Sequence, residues 1–337
     1  MSNHQRKWNW SMVGVILTLA WPTMLEQLMQ TAVQYIDTAM VGSLGTAATA
    51  AVGATTTVNW LIGSSVSALS VGFLSFIARA CGAQDKPAAR RAVTQAVLAV
   101  LVTGIAFTVL TLSLSSLVPA WMQVDEHIRG LAATYFFILY TPMLPRAASI
   151  IFGTVLRAAG DTKTPMKVGV LVNIINVALN FLLIYPTRQL SIGTVSFTMP
   201  GAGLGVIGAA IASAIAFAWG GIHITIVLWK HPMVSPRGAK LRPDMQILRP
   251  CLKVALPNML QRFGTSLGYV AFAAMINALG EVATAAHTIA NTVDLHFTFR
   301  DTACRRLPPR WRATPTAQTT KSAWRNSPGC LFRSRFC

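Results

Sequence analysis

The sequence predicts an all-α polytopic membrane protein made of two related helical lobes, the first complete with six helices and the second truncated after one to two. Three observations carry that prediction. Of 337 residues, 53% are hydrophobic and only 11% charged, with a mean hydropathy of +0.52, so there is too little polar surface to cover a soluble globule of this length. Seven apolar stretches approach or exceed the roughly 20 residues that a helix needs to cross a bilayer. One segment also occurs twice: Leu19-Ala20-Trp21-Pro22-Thr23-Met24-Leu25 returns 235 residues later as Val254-Ala255-Leu256-Pro257-Asn258-Met259-Leu260. Met40, Leu44, Gly45 and Ala48-Thr49-Ala50-Ala51 match Met275, Leu279, Gly280 and Ala283-Thr284-Ala285-Ala286 at the same offset, as Thr57-Val58 match Thr292-Val293. Internal repeats in a long hydrophobic chain mark transporters whose two bundles move about a central site.

The first helix is expected at about residues 12–35. Arg6 and Lys7 precede it as they would a secretory signal, but no small-residue cleavage site follows and Glu26, Gln30 and Asp37 come instead, so it reads as a retained helix. The second and third, at about 47–78 and 93–118, are joined by a loop with Arg79, Lys86, Arg90 and Arg91. The fourth, at about 128–151, leads through Arg157, Lys163 and Lys167 to the fifth at about 168–185. The sixth, at about 204–228, is followed by Lys230, Arg237, Lys240, Arg242, Arg249 and Lys253 before the seventh at about 254–279. An eighth begins near Val282 but is interrupted.

These loops and the amino terminus hold fifteen basic residues, whereas the opposite loops hold Arg129 and Arg188. The positive-inside rule therefore puts the amino terminus in the cytoplasm; the expected location is the plasma membrane, as a multi-pass protein of a bacterial inner membrane. Trp10, Trp121 and Trp229 fall near predicted helix ends, where amphipathic rings favour the interface. Arg146 and Arg262 fall inside helices. The expected division is residues 1–228 as the amino-terminal lobe, 229–253 as a cytoplasmic linker, 254–296 as the start of the second lobe, and 297–337 as a tail.

A formal charge of +18 would suit a nucleic-acid partner, but its distribution argues against one. Residues 297–337 hold 9 basic and 1 acidic side chains, and the basic residues before them follow membrane topology. The tail has clustered arginine and adjacent prolines from Asp301 to Arg312 with no periodicity. Because the change of character comes in mid-helix, it is expected to be a disordered product of out-of-frame translation rather than a binding segment. The five cysteines form neither a metal spacing nor a disulfide framework.

Gly203-Leu204-Gly205-Val206-Ile207-Gly208 is a literal G-x-G-x-x-G, yet it opens an apolar helix, and no acidic residue lies between Asp161 and Asp244. A dinucleotide site needs a βαβ unit and an acidic ribose ligand; the glycines, with Gly201 and Gly205 four apart, are expected to permit close helix packing. No Walker A sequence, H-E-x-x-H or nucleophile elbow is present, so neither an enzyme nor a cofactor is expected.

Polar residues inside spanning segments ask for a reason, since an ionisable group at mid-helix costs about 2.5–3.5 kcal/mol on insertion scales. Glu26, Gln30, Gln34 and Asp37 follow i, i+4, i+8, i+11 spacing, which places them within an arc of about 80°. They form a stripe facing protein or water. Interhelical hydrogen bonding accounts for the glutamines as well as a cavity does, whereas Asp37 is the kind of carboxyl that takes up and releases protons. Asn173, Asn176 and Asn180 on the fifth helix share a face at i, i+3, i+7, within about 60°. Their amides are expected to orient Asp37 or contact a cation, with packing hydrogen bonds an equal reading for Asn173.

At these residues the sequence resembles the multidrug and toxic compound extrusion (MATE) family. The resemblance lies in Tyr35-Ile36-Asp37-Thr38-Ala39-Met40-Val41-Gly42 with Leu44-Gly45, in Leu156-Arg157-Ala158-Ala159-Gly160-Asp161-Thr162-Lys163-Thr164-Pro165-Met166, and in Asn176 to Asn180. It implies a twelve-helix fold of two six-helix lobes around a cavity open alternately to each side. It implies an antiporter that expels organic, often cationic compounds against H⁺ or Na⁺, as a monomer in the lipid bilayer. Asp37 matches the acidic first-helix residue of the family's cation site, and Asn176 and Asn180 match its fifth-helix neighbours. The seventh helix departs from the pattern, with Gln261 and Thr265 where some members place a glutamate. Helices 9–12 are missing, so the chain as written is not expected to transport. Two alternatives remain at this stage: a non-transporting remnant, and a lipid-linked-saccharide flippase of the same superfamily, which would line its cavity with more basic residues than Arg146 and Arg262.

Overall fold

The computed structural model describes residues 10–121, 126–192, 195–238 and 241–277. The chain runs α1 (Trp10–Gly42), α2 (Thr46–Gly82), α3 (Lys86–Ser113), a short α4 (Leu117–Trp121), α5 (Glu126–Tyr140), α6 (Met143–Ala158) and α7 (Lys163–Leu183). A hairpin of β1 (Pro186–Ile192) and β2 (Val195–Ala202) follows, then α8 (Gly205–Lys230) and α9 (Met245–Asn277). Among the described residues four helical stretches are long and apolar enough to cross a membrane, within α2 and along α3, α7 and α8; α5 and α6 together make a fifth, bent by 51°. The two repeat copies, α1 and α9, are 33 residues each and contain Pro22 and Pro257 at matching positions. At 1.5 Å per residue each is about 50 Å long, enough to span.

The helices from α1 to α8 share one apolar core, in which Phe73, Ile77, Phe136, Met143, Ile151 and Leu228 are almost wholly buried. Helix α8 sits against α5, α6 and α7. It comes close because Gly208 faces the Leu183 carbonyl and Gly221 the Pro145 backbone, where a Cβ would collide. Many large apolar side chains point outward, among them Val102, Ile105, Val109 and Ile174; in a bilayer that face meets lipid rather than water.

The structure corrects the sequence reading at four points. The predicted fourth helix is two: Pro142 and Pro145 remove backbone donors and disfavour helical geometry before them, so the chain bends between Tyr140 and Met143. The segment expected as a loop between the fifth and sixth helices is a hairpin, in which Gln189–Ile192 and Val195–Met199 alternate polar and apolar residues; its register pairs Leu190 with Phe197 and Gln189 with Thr198. Gly201 and Gly205 are not a helix-packing pair. Gly201 ends β2 beside the Tyr185 carbonyl, and Gly205 opens α8 with φ of +56°, so the packing role falls to Gly208 and Gly221. Arg157 belongs to the last turn of α6, not to a loop.

The segment between α6 and α7 has a plain physical account. Gly160 takes φ of +94°, a left-handed conformation that favours glycine, and reverses the chain. The Asp161 carboxylate then accepts from the Thr164 amide at 3.0 Å, and Pro165 occupies the first turn of α7 where its missing N–H costs nothing. Asp85 caps α3 in the same way, accepting from the Ala88 amide at 2.9 Å. The eighth helix and the tail at 297–337 lie outside the described residues.

A carboxylate and amide centre between α1 and α7

The i, i+3, i+7 spacing on α7 brings Asn176 and Asn180 to the surface that packs on α1, and both are almost fully buried, at 6% and 1% exposure. Opposite them stands Asp37, half-buried on α1. The Asn180 amide donates to one Asp37 carboxylate oxygen at 2.6 Å. With its amide turned so that the N–H groups face the acid, Asn176 donates to both Asp37 oxygens at 3.0 and 3.2 Å and accepts from the Ser213 hydroxyl of α8 at 3.0 Å. Three helices thus hold one carboxylate. The Asn180 side-chain oxygen has no hydrogen-bond partner among the described residues. Together with the Asp37 oxygens it makes a set of hard oxygen donors, the chemistry that suits a proton on the acid or an alkali cation between them.

The other expected site residues divide. Gln30 and Gln34 lie exposed on the Asp37 side of α1, facing away from the packed core. Asn173 is half-buried one turn from Asn176. Glu26 is ion-paired: the Arg157 guanidinium donates to it at 3.1 and 3.4 Å, with side chains only 12% and 15% exposed, and α7 makes room for it at Gly169. This is the only ion pair among the described residues.

The sequence reading missed three contributors. Ser213 is the one hydrogen-bonding side chain in the apolar run from Val206 to Ala218, and that isolation was the available signal. Tyr135 lies within electrostatic reach of both Asp37 and Arg146. Arg146, unexplained by the sequence, donates to the Asn59 side-chain oxygen at 2.7 Å, shares that acceptor with the Tyr140 hydroxyl at 3.0 Å, and stacks 4.6 Å from the Phe217 ring centroid. Its charge is offset by aromatic faces and an amide rather than by an acid.

A bundle of apolar spanning helices with a polar carboxylate centre between two of them is the architecture of a multi-pass membrane protein. Comparison with known proteins narrows this. The MatE family model matches residues 22–182. Over 279 residues the chain is 28% identical to the probable multidrug resistance protein NorM of Thermotoga maritima, covering 83% of this chain and 58% of the relative. It is 26% identical to the probable multidrug resistance protein YoeA of Bacillus subtilis, covering 81% and 58%. Among solved structures it superposes on a MOP superfamily transporter from Pyrococcus furiosus with a TM-score of 0.76 at 25% identity, covering 87% of this chain and 62% of that one. It also matches an outward-facing multidrug resistance MATE family transporter with a TM-score of 0.78 at 23% identity, covering 90% and 67%. Residues 22–182 are thus similar to the MatE family, and the relatives compared are named as probable multidrug resistance proteins. The chain spans a little over half the length of the curated relatives it matches.

Proposed function

We propose that this chain carries the cation-coupling half of a multidrug efflux antiporter, exchanging organic, cationic compounds for H⁺ or Na⁺. The observation that carries this reading is the Asp37 carboxylate held by Asn180 at 2.6 Å and by Asn176, with an unused amide oxygen beside it. The names of the relatives support the multidrug class. On this reading residues 1–228 form the amino-terminal lobe, 229–253 a cytoplasmic linker and 254–296 the start of the second lobe, with the amino terminus in the cytoplasm of a bacterial inner membrane.

The mechanism follows from the hydrogen bonds. While Asp37 is ionised, it accepts from both asparagines and draws α1 onto α7. A proton, or a cation shared with the Asn180 oxygen, removes acceptor capacity and loosens that contact. Moving a two-state lobe from 1:99 to 99:1 takes about 5.5 kcal/mol of differential interaction. One ion on one carboxylate supplies part of that, so substrate and ion bias the lobe jointly. Gln30 and Gln34, exposed on the same side of α1, offer amides to a substrate in the cavity.

The test is ion release by the purified full chain. Binding of a fluorescent organic cation such as ethidium should displace protons or Na⁺, and Asp37→Asn should abolish the displacement while leaving the helical content intact. Unchanged displacement in the variant would remove Asp37 from the coupling role.

A further inference from the structure

We propose that residues 241–244, leading into α9, fold over the start of α3 and with residues 236–238 form a binding site for the phosphate headgroup of an anionic membrane lipid. The linker is fastened by one buried side chain. Gln95 of α3, 2% exposed, donates to the Arg242 carbonyl at 2.8 Å and accepts from the Asp244 amide at 3.0 Å, so both ends of its amide grip linker backbone. Two adjoining cavities open beneath the clasp, of about 530 and 350 Å³, meeting at Thr94.

The lining selects an anion. Arg91 and Arg242 border the larger cavity and Arg237 the smaller, all three exposed. The one carboxylate in the lining, Asp244, accepts from the Gln246 amide at 3.0 Å and so caps α9. No ion pair engages the three arginines among the described residues. Guanidinium groups without acid partners around a concave surface present the forked donors that phosphate oxygens take.

The rim selects a lipid. Trp229, on the smaller cavity, stands in the last turn of α8, where an indole sits at the interface of a spanning helix. Leu241 and Met245, one on each cavity, are 57% and 70% exposed. Apolar side chains beside arginines at the end of a spanning bundle fit an amphiphile whose headgroup enters the cavity while its acyl chains stay in the leaflet. A free phosphate would leave Leu241 and Met245 in water.

The experiment measures thermal unfolding of the purified full chain in neutral detergent, titrated with phosphatidylglycerol, phosphatidylcholine or inorganic phosphate. The wild type should be stabilised by phosphatidylglycerol and by neither of the others. Each arginine near an anionic surface contributes roughly fivefold, so the R91Q/R242Q double variant should need about thirtyfold more phosphatidylglycerol for the same shift. R237Q alone should show a smaller loss and stands in if the double variant does not fold. K163Q, exposed at the start of α7 and outside both cavities, should behave as the wild type. Equal stabilisation by phosphatidylcholine, saturation by inorganic phosphate alone, or an equal loss in K163Q would each overturn the proposal.

Discussion

Helices α1 and α9 are two copies of one segment, and they use it differently. Both carry the proline of the repeat within a 33-residue helix. In α1 the polar stripe is tied to its neighbours: Glu26 to Arg157 of α6, and Asp37 to Asn180 and Asn176 of α7. At the corresponding positions, 235 residues on, α9 has Gln261, Thr265, Tyr269 and Phe272. The Thr265 hydroxyl donates to the Gln261 carbonyl of its own helix at 2.8 Å, and both residues are exposed. Meanwhile Cys251 and Ala255 bury the start of α9 against α2. The duplication thus kept the proline-bearing helix, while the carboxylates are confined to the first copy, since α9 holds no Asp or Glu.

That contrast predicts unequal responses to matched substitutions. The largest should come from Glu26→Ala, which strands the Arg157 guanidinium in a mostly buried place and should cost about 3 kcal/mol. Gln261→Ala at the repeat position should stay within about 0.5 kcal/mol. Denaturant unfolding in micelles measures both, and equal losses would dissolve the contrast. Next comes the docking of α9 itself. A Cβ on Gly72 would run into the Cys251 carbonyl, so Gly72→Ala should cost about 1–3 kcal/mol and raise hydrogen exchange in α9 before α7. Ser213→Ala should be milder, about 1 kcal/mol, because it removes only the donor behind Asn176. It should also weaken ion binding at Asp37.

The smallest effect is one of pH. His231, at the end of α8 before the linker, has its pKa lowered by burial, against the opposing pull of Asp161. Its Nδ1 accepts from the Met233 and Val234 amides, at 3.3 and 3.4 Å, which only the neutral ring can do. Folding therefore favours the neutral form. The stability His231 adds is fully present above its ordinary pKa of 6.5 and is lost as pH falls below that value. His231→Gln should flatten this slope without moving the phosphatidylglycerol response.

Much of this was written in the sequence at helical spacing. Asp37, Asn176 and Asn180 were legible because polar residues are rare in spanning helices, and 3.6-residue periodicity puts each set on one face. Glu26 was legible as an intramembrane charge but not as half of an ion pair. Its partner comes from 131 positions away, through a helix end that the run of prolines between α5 and α6 had re-aimed. Arg146 was opaque for the same reason: Asn59, Tyr140 and Phe217 come from three other helices. The hairpin was missed because its strands are short and alternate weakly beside long apolar runs. The Gln95 clasp could not be foreseen, since backbone groups of a linker have no signature.

The most direct test of the central claim is an infrared difference spectrum of the purified full chain, recorded on adding Na⁺ and separately on acidification. The account predicts a carboxyl band that shifts with one of these ions in the wild type and in Gln261→Ala, and that disappears in Asp37→Asn. A band that persists in Asp37→Asn, or its absence from the wild type under both conditions, would contradict it.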